Sequence, residues 1–136
     1  SEMCIRDRKE IPKEFDQYET ILGEPFFVNQ FKFMKFIKNG YKILIGGAGM
    51  AAHLAGALKS VSTLPIIGVP LSGGVQDGMD SLLSTVQMPK GVPVATMSIG
   101  KSGAINAAIL SAEILSLNCS DIEKKLSTFK KNGSTI

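Results

Sequence analysis

From Tyr41 onward the apolar positions fall into a repeating alternation. YKILIGG (residues 41–47) is a short apolar run closed by glycines, which predicts a buried parallel strand. MAAHLAGALKSV (50–61) follows as a small-residue helix. PIIGVP (65–70) predicts a second buried strand, LSGGVQDG a loop, and MDSLLSTV (79–86) a helix. QMPKG is a loop, and VPVATMSI (92–99) predicts a third strand. GKSG then turns into a long apolar helix, AINAAILSAEILSL (104–117). Asn118 ends it, and Ser120-Asp121 can cap a last helix, DIEKKLSTFKK. Strands and helices that alternate through short connections form parallel βαβ units. The predicted class is therefore α/β, a parallel sheet with helices on both faces, in a single domain over residues 9–136.

The pattern before Tyr41 is less regular. SEMCIRDR (1–8) has no helical stripe, no alternation and no signal-peptide core, and it reads as a non-native stretch. A processed or tagged chain is the alternative. A helix can start at Pro12, with Glu14, Phe15 and Tyr18 at helical spacing. ETILGEPFFVNQ (19–30) contains Gly23 and Pro25, which break a helix, and its PFFV is a short strand or a loop. FKFMKFIK (31–38) predicts an amphipathic helix stopped by Asn39-Gly40.

Composition narrows the function classes. The chain has 136 residues, 44% apolar and 20% charged, as an ordinary globular domain does. No apolar run approaches the ~20 residues of a membrane span. A net charge of +3 gives no case for nucleic acid. Cys4 and Cys119 have no partner spacing, which fits a reducing compartment and speaks against a zinc site. His53 is the single histidine, so a multi-histidine metal site is excluded. The distributions say more. Twelve of the 14 glycines lie between Gly40 and Gly103. From Pro25 to Ala112 the acidic residues are Asp77 and Asp80, against seven lysines. Such a middle suits an anionic small ligand held by backbone amides. It equally suits turns that need glycine and exposed helices that carry lysine.

Open parallel sheets bind ligands beyond the carboxyl ends of their strands. Three segments belong there: residues 46–53, 70–74 and 98–103. The generic motifs fail in each. GGAGMAAH is not a dinucleotide fingerprint, and Gly100-Lys101-Ser102 lacks the earlier glycine of a Walker A loop, whose place is taken by Ala95. Asp77 and Asp80 read as capping and dipole partners of a helix start. His53 has two readings: a titrating group at the strand-end rim, or a core histidine packed among Ala and Leu.

GAGMAAHLAG (47–56), PIIGVP (65–70), DSLLSTVQMPKGVPVAT (80–96) and IGKSGAINAA (99–108) occur in the order and spacing of one family. Over residues 40–118 the chain resembles the PurE family, the N5-carboxyaminoimidazole ribonucleotide mutases or phosphoribosylaminoimidazole carboxylase catalytic subunits. The resemblance implies a flavodoxin-like three-layer α/β/α sandwich, a cytoplasmic homo-octamer, and no metal or organic cofactor. It implies carboxylate transfer from N5 to carbon 4 of a small ribonucleotide in purine biosynthesis, by decarboxylation and recarboxylation. Coupling to an N5-carboxyaminoimidazole ribonucleotide synthase goes with it; nucleic acid and membrane partners do not. Direct carbon dioxide-dependent carboxylation and an inactive fragment are the alternatives. A related fold module in nickel-pincer cofactor synthesis lacks the support of Gln87-Met88-Pro89.

The resemblance assigns substrate binding to Ala48, Gly49, Ala52, His53 and Leu54, and to Ser72 and Gly73 in a covering loop. It makes His53 a secondary proton carrier. A carbon dioxide pocket of small apolar residues would use Ala48, Ala51, Ala52 and Leu54. Asp80, Ser81, Gln87, Met88, Pro89 and Asn106 also match. The family usually has Gly where Met50 stands and Pro where Ala55 stands. Before Tyr41 the family's first strand, its Gly-Ser-x-Ser-Asp phosphate loop and its Ser-Ala-His-Arg motif, which holds the main catalytic histidine, have no counterpart. Ser120-Asp121 is a decoy. Pro12-Lys13-Glu14-Phe15 resembles the residues just after the histidine motif, and ETILGEPFFVNQ looks inserted.

Overall fold

The computed structural model describes residues 40–135. The expectations for SEMCIRDR, for the helices from Pro12 and over 31–38, for the segment 19–30 and for a missing first strand lie outside the described residues. Within them, β1 (Leu44–Ala48), β2 (Ile66–Pro70) and β3 (Ala95–Thr96) pair in the order β1-β2-β3, all parallel. Between and after them come α1 (Leu54–Val61), α2 (Met79–Val86), α3 (Lys101–Ser116) and α4 (Ser120–Lys131). Parallel neighbours cannot be joined by a tight turn, so each crossover carries a helix.

The period of two along a strand divides these helices between two faces. Leu44 and Ile66 pack with Ala55 and Leu58 of α1 in one core cluster, with Val61 and Val94 against it. Ile67 and Val69 point the other way and pack with Ala107 of α3, flanked by Ile45 and Leu110. The faces divide bulk in opposite senses. On the α1–α2 side the sheet is bulky at Leu44 and Ile66 but small at its middle, where Gly46 and Gly68 are register partners. A Cβ on Gly46 would lie 3.0 Å from the Leu58 side chain and 3.2 Å from the Ala55 backbone, and one on Gly68 would overlap Thr85. On the α3 side the sheet is bulky and the helix is small, with Gly103, Ala107 and Ser111 buried at four-residue intervals. The result is the three-layer arrangement expected of a flavodoxin-like α/β fold.

Polar side chains inside this sandwich are satisfied locally. Ser111 donates to the Ala107 carbonyl at 2.8 Å and Thr85 to the Ser81 carbonyl at 2.7 Å, so neither carries the cost of a buried unpaired group. α4 lies against α3, with Leu126 buried and the Lys130 ammonium 3.3 Å from the Glu113 carboxylate of α3.

Several predicted boundaries move, each for a local reason. The third strand shrinks from residues 92–99 to Ala95–Thr96. Pro93 has no amide to donate, and the Val92 amide closes a turn on the Pro89 carbonyl at 3.1 Å. The first strand is Leu44–Ala48 rather than 41–47. α1 starts at Leu54, not Met50, because Met50 and Ala52 take positive φ (52° and 35°) and the Ala52 amide closes a turn on the Gly49 carbonyl. α3 begins earlier than expected, at Lys101, so Gly103 is helical. At α4 it is Cys119 that occupies the cap position, with no side-chain cap hydrogen bond; Ser120 is already helical and does not cap. Asp121 and Glu123 in its first turn and Lys130 and Lys131 in its last complement the helix dipole.

Candidate active site at the strand ends

The three segments placed beyond the strand ends by sequence are brought into contact. The Leu71 amide donates to the carbonyl of Ala48 at 2.9 Å, tying the loop after β2 to the end of β1. The Gly100 amide donates to the Pro70 carbonyl at 2.8 Å, tying the loop after β3 to the end of β2. Gly78 (φ 108°) closes the arrangement. A Cβ there would lie 2.9 Å from both the Leu71 carbonyl oxygen and the Ile99 side chain.

In the first segment Ala48 ends β1, and Gly49 is half-buried against Leu71. Ala52 is buried. His53 stands at the cap position of α1 and is exposed; its carbonyl receives the Ala57 amide at 2.9 Å. Its exposure removes the core-histidine alternative. Leu54 packs onto the α1 core cluster, so its bulk stabilises the helix start. Met50 is 65% exposed with its left-handed φ, so its side chain stands out in solvent. A left-handed φ at this position is the physical reason that Gly suits it. Ala55 lies in the first turn of α1, where the backbone tolerates a proline.

Ser72 and Gly73 are exposed in the second segment. This loop contains a short 3₁₀ turn, Val75–Asp77, and positive φ at Gly73, Gly74, Gln76, Asp77 and Gly78. Asp77 does not cap α2, as the spacing had suggested. Gly78 holds the cap position, and Asp77 Oδ1 accepts the Gly73 amide at 2.9 Å. Asp80 does lie in the first turn of α2 and accepts the Ser81 amide at 2.9 Å. A Gly and an Asp four apart were the visible signal of the loop closure, but the same aspartate fits a helix start equally well. Lys101 and Ser102 open α3 and are exposed at the same rim. Asn106 is exposed one turn further on. Among the described residues no three His, Cys, Asp or Glu side chains lie close enough to hold a metal ion. The rim thus offers small residues, backbone, the Lys101 and Ser102 side chains and one imidazole: groups that can cradle an anion and move a proton.

The profile of the AIR carboxylase family matches residues 28–135. The chain belongs to the AIR carboxylase family. Its similarity to individual members is high. The chain is 55% identical over 95 residues to an N5-carboxyaminoimidazole ribonucleotide mutase of Bacillus subtilis, covering 70% of this chain and 59% of that protein. The corresponding mutase of Escherichia coli is 46% identical over 94 residues, 69% of this chain and 56% of that protein. A bifunctional purine synthesis protein purC/E of Dictyostelium discoideum is 48% identical over 123 residues, 82% of this chain and 12% of that protein. The chain therefore spans a little under three-fifths of the bacterial mutases it matches. As in the expectation from sequence, the AIR carboxylase resemblance runs through all three rim segments described above.

Proposed function

We propose that this chain is part of a mutase that converts N5-carboxyaminoimidazole ribonucleotide to 4-carboxyaminoimidazole ribonucleotide in purine biosynthesis. The observation that carries the proposal is the exposed His53 at the start of α1, beyond the end of β1 and on the same rim as Ser72 and Gly73. Two relatives, 55% and 46% identical to this chain over the matched residues, are named N5-carboxyaminoimidazole ribonucleotide mutase. Ala48, Gly49, Ala52 and Leu54 form the wall behind the imidazole and carboxylate of the substrate. Ser72 and Gly73 cover it.

The reaction divides into two proton-coupled halves. The bond from nitrogen to the carboxyl carbon breaks, carbon dioxide is released into a site shielded from water, and the nitrogen takes up a proton. Carbon 4 then attacks carbon dioxide, and the proton it carried is lost. A neutral imidazole can accept and return such a proton. His53 takes that role as a secondary carrier; the main histidine of the family's Ser-Ala-His-Arg motif has no counterpart in these 136 residues. The enzyme works as a cytoplasmic homo-octamer and receives its unstable substrate from a synthase that carboxylates the same nitrogen.

His53→Asn tests the assignment. Turnover falls by roughly 10²–10⁴-fold, the range of a lost general acid–base group, while the melting temperature is unchanged because the side chain is exposed. Unchanged turnover with lowered stability would overturn it. Assays with the N5-carboxylated substrate and with the uncarboxylated ribonucleotide plus bicarbonate separate the mutase from the direct carboxylase.

A further inference from the structure

Ser81 is fully buried at the third position of α2, and no step of the proposed chemistry uses it. Its hydroxyl oxygen lies 2.8 Å from the Leu71 carbonyl and 2.8 Å from the Gly78 carbonyl. A hydroxyl has one proton to donate. The Gly78 carbonyl already receives the Leu82 amide at 2.9 Å, as helix geometry requires. The distinct work of the Ser81 hydroxyl therefore falls on Leu71, the residue that leads into the loop.

That loop, residues 72–78, has touching ends, since Gly78 packs on the Leu71 carbonyl and on Ser72. It is closed inside by the bond from the Gly73 amide to Asp77. Gln76 and Asp77 sit at positive φ without being glycine, a conformation that persists only where the surroundings hold it. The two fastenings are of different kinds: one is a buried hydroxyl from the helix behind, the other an exposed carboxylate from within the loop.

We infer that Ser81 is a positioning residue that fixes the foot of the 72–78 loop through Leu71, and so holds Ser72 and Gly73 in place over the ribonucleotide. The inference rests on the proposed mutase reading. Asp77 completes the same device from the other side.

The test compares the unaltered chain with Ser81→Ala, Ser81→Cys and Asp77→Ala. It uses hydrogen–deuterium exchange of the backbone amides, binding of aminoimidazole ribonucleotide, and kcat and KM with the N5-carboxylated substrate. Losing one such hydrogen bond raises KM and the ribonucleotide Kd by about tenfold, with kcat less affected, and speeds exchange by about tenfold at residues 72–78 but not in β1, β2 or α3. Ser81→Cys, close to serine in size but a weaker donor, gives the same pattern in smaller measure, so a folding failure of Ser81→Ala leaves the inference decidable; Asp77→Ala reads the second fastening from a solvent-exposed position. Faster exchange throughout the sheet with unchanged KM would reduce Ser81 to a core residue and overturn it. Faster exchange confined to the loop with unchanged KM and Kd would also overturn it. An unaltered chain that binds the ribonucleotide but turns over neither substrate would remove the mutase reading alone, with the Kd comparison then deciding the loop.

Discussion

The interior of the sandwich and its strand-end rim are built from the same βα units, yet they use small residues to different ends. In the interior, Gly46, Gly68, Gly103 and Ala107 are small because something large or rigid lies against them. At the rim, Gly73, Gly74 and Gly78 take positive φ, and Gly73 has nothing within reach of an added Cβ. The first set is required by packing and the second by backbone direction, with close neighbours adding to the requirement at Gly74 and Gly78. Interior substitutions should therefore cost stability and leave the chemistry to follow, whereas most rim substitutions should spare stability and strike turnover.

The sharpest attempt to break this contrast is Gly103→Ala. Helix propensity alone favours alanine by about 1 kcal/mol. Packing opposes it, because the new Cβ would overlap the Ser98 carbonyl, which is backbone and cannot swing aside. A loss of more than about 3 kcal/mol is expected from chemical denaturation, at the upper end of overpacking costs; a gain would show that α3 is free to shift. Ile67→Ala comes next. Ile67 is fully buried between β2 and α3, so about 2–5 kcal/mol should be lost, depending on how far the cavity collapses. Gly46→Ala is milder, about 1–2 kcal/mol, since its nearest neighbour is the end of the Leu58 side chain, although the Ala55 backbone at 3.2 Å limits the adjustment. Smallest is Met50→Gly at the rim. Removing a side chain from a left-handed position should raise stability by roughly 0.5 kcal/mol, the conformational strain being partly offset by the freer unfolded chain. A clear loss of stability in a thermal melt would mean that Met50 packs against something and that the rim is not as open as its 65% exposure implies.

The alternation of apolar runs and glycine closures was enough to place β1, β2, α1, α2 and α3 in order, because each buries a face with its own period. Strand 92–99 was overestimated because apolar residues alternate there without the amides to sustain a ladder. His53 was legible as a rim residue by position, but its exposure depended on where α1 begins. That start was set by left-handed turns at Met50 and Ala52 that residue types do not announce. Ser81 was visible only as one residue of a matching motif, since a serine in a helix gives no sign of which carbonyl it will reach.

The sequence by itself determined the α/β class, the family and the three segments that converge at the strand ends. Those depend on periodicity and on residue identity, both of which are local. Only the tertiary structure decided which side of each contact is small, which way Asp77 turns and what Ser81 holds. Each of these is settled by a partner outside the residue's own helix, Leu71 for Ser81 and Ser98 for Gly103, or by a backbone angle imposed from outside the residue itself.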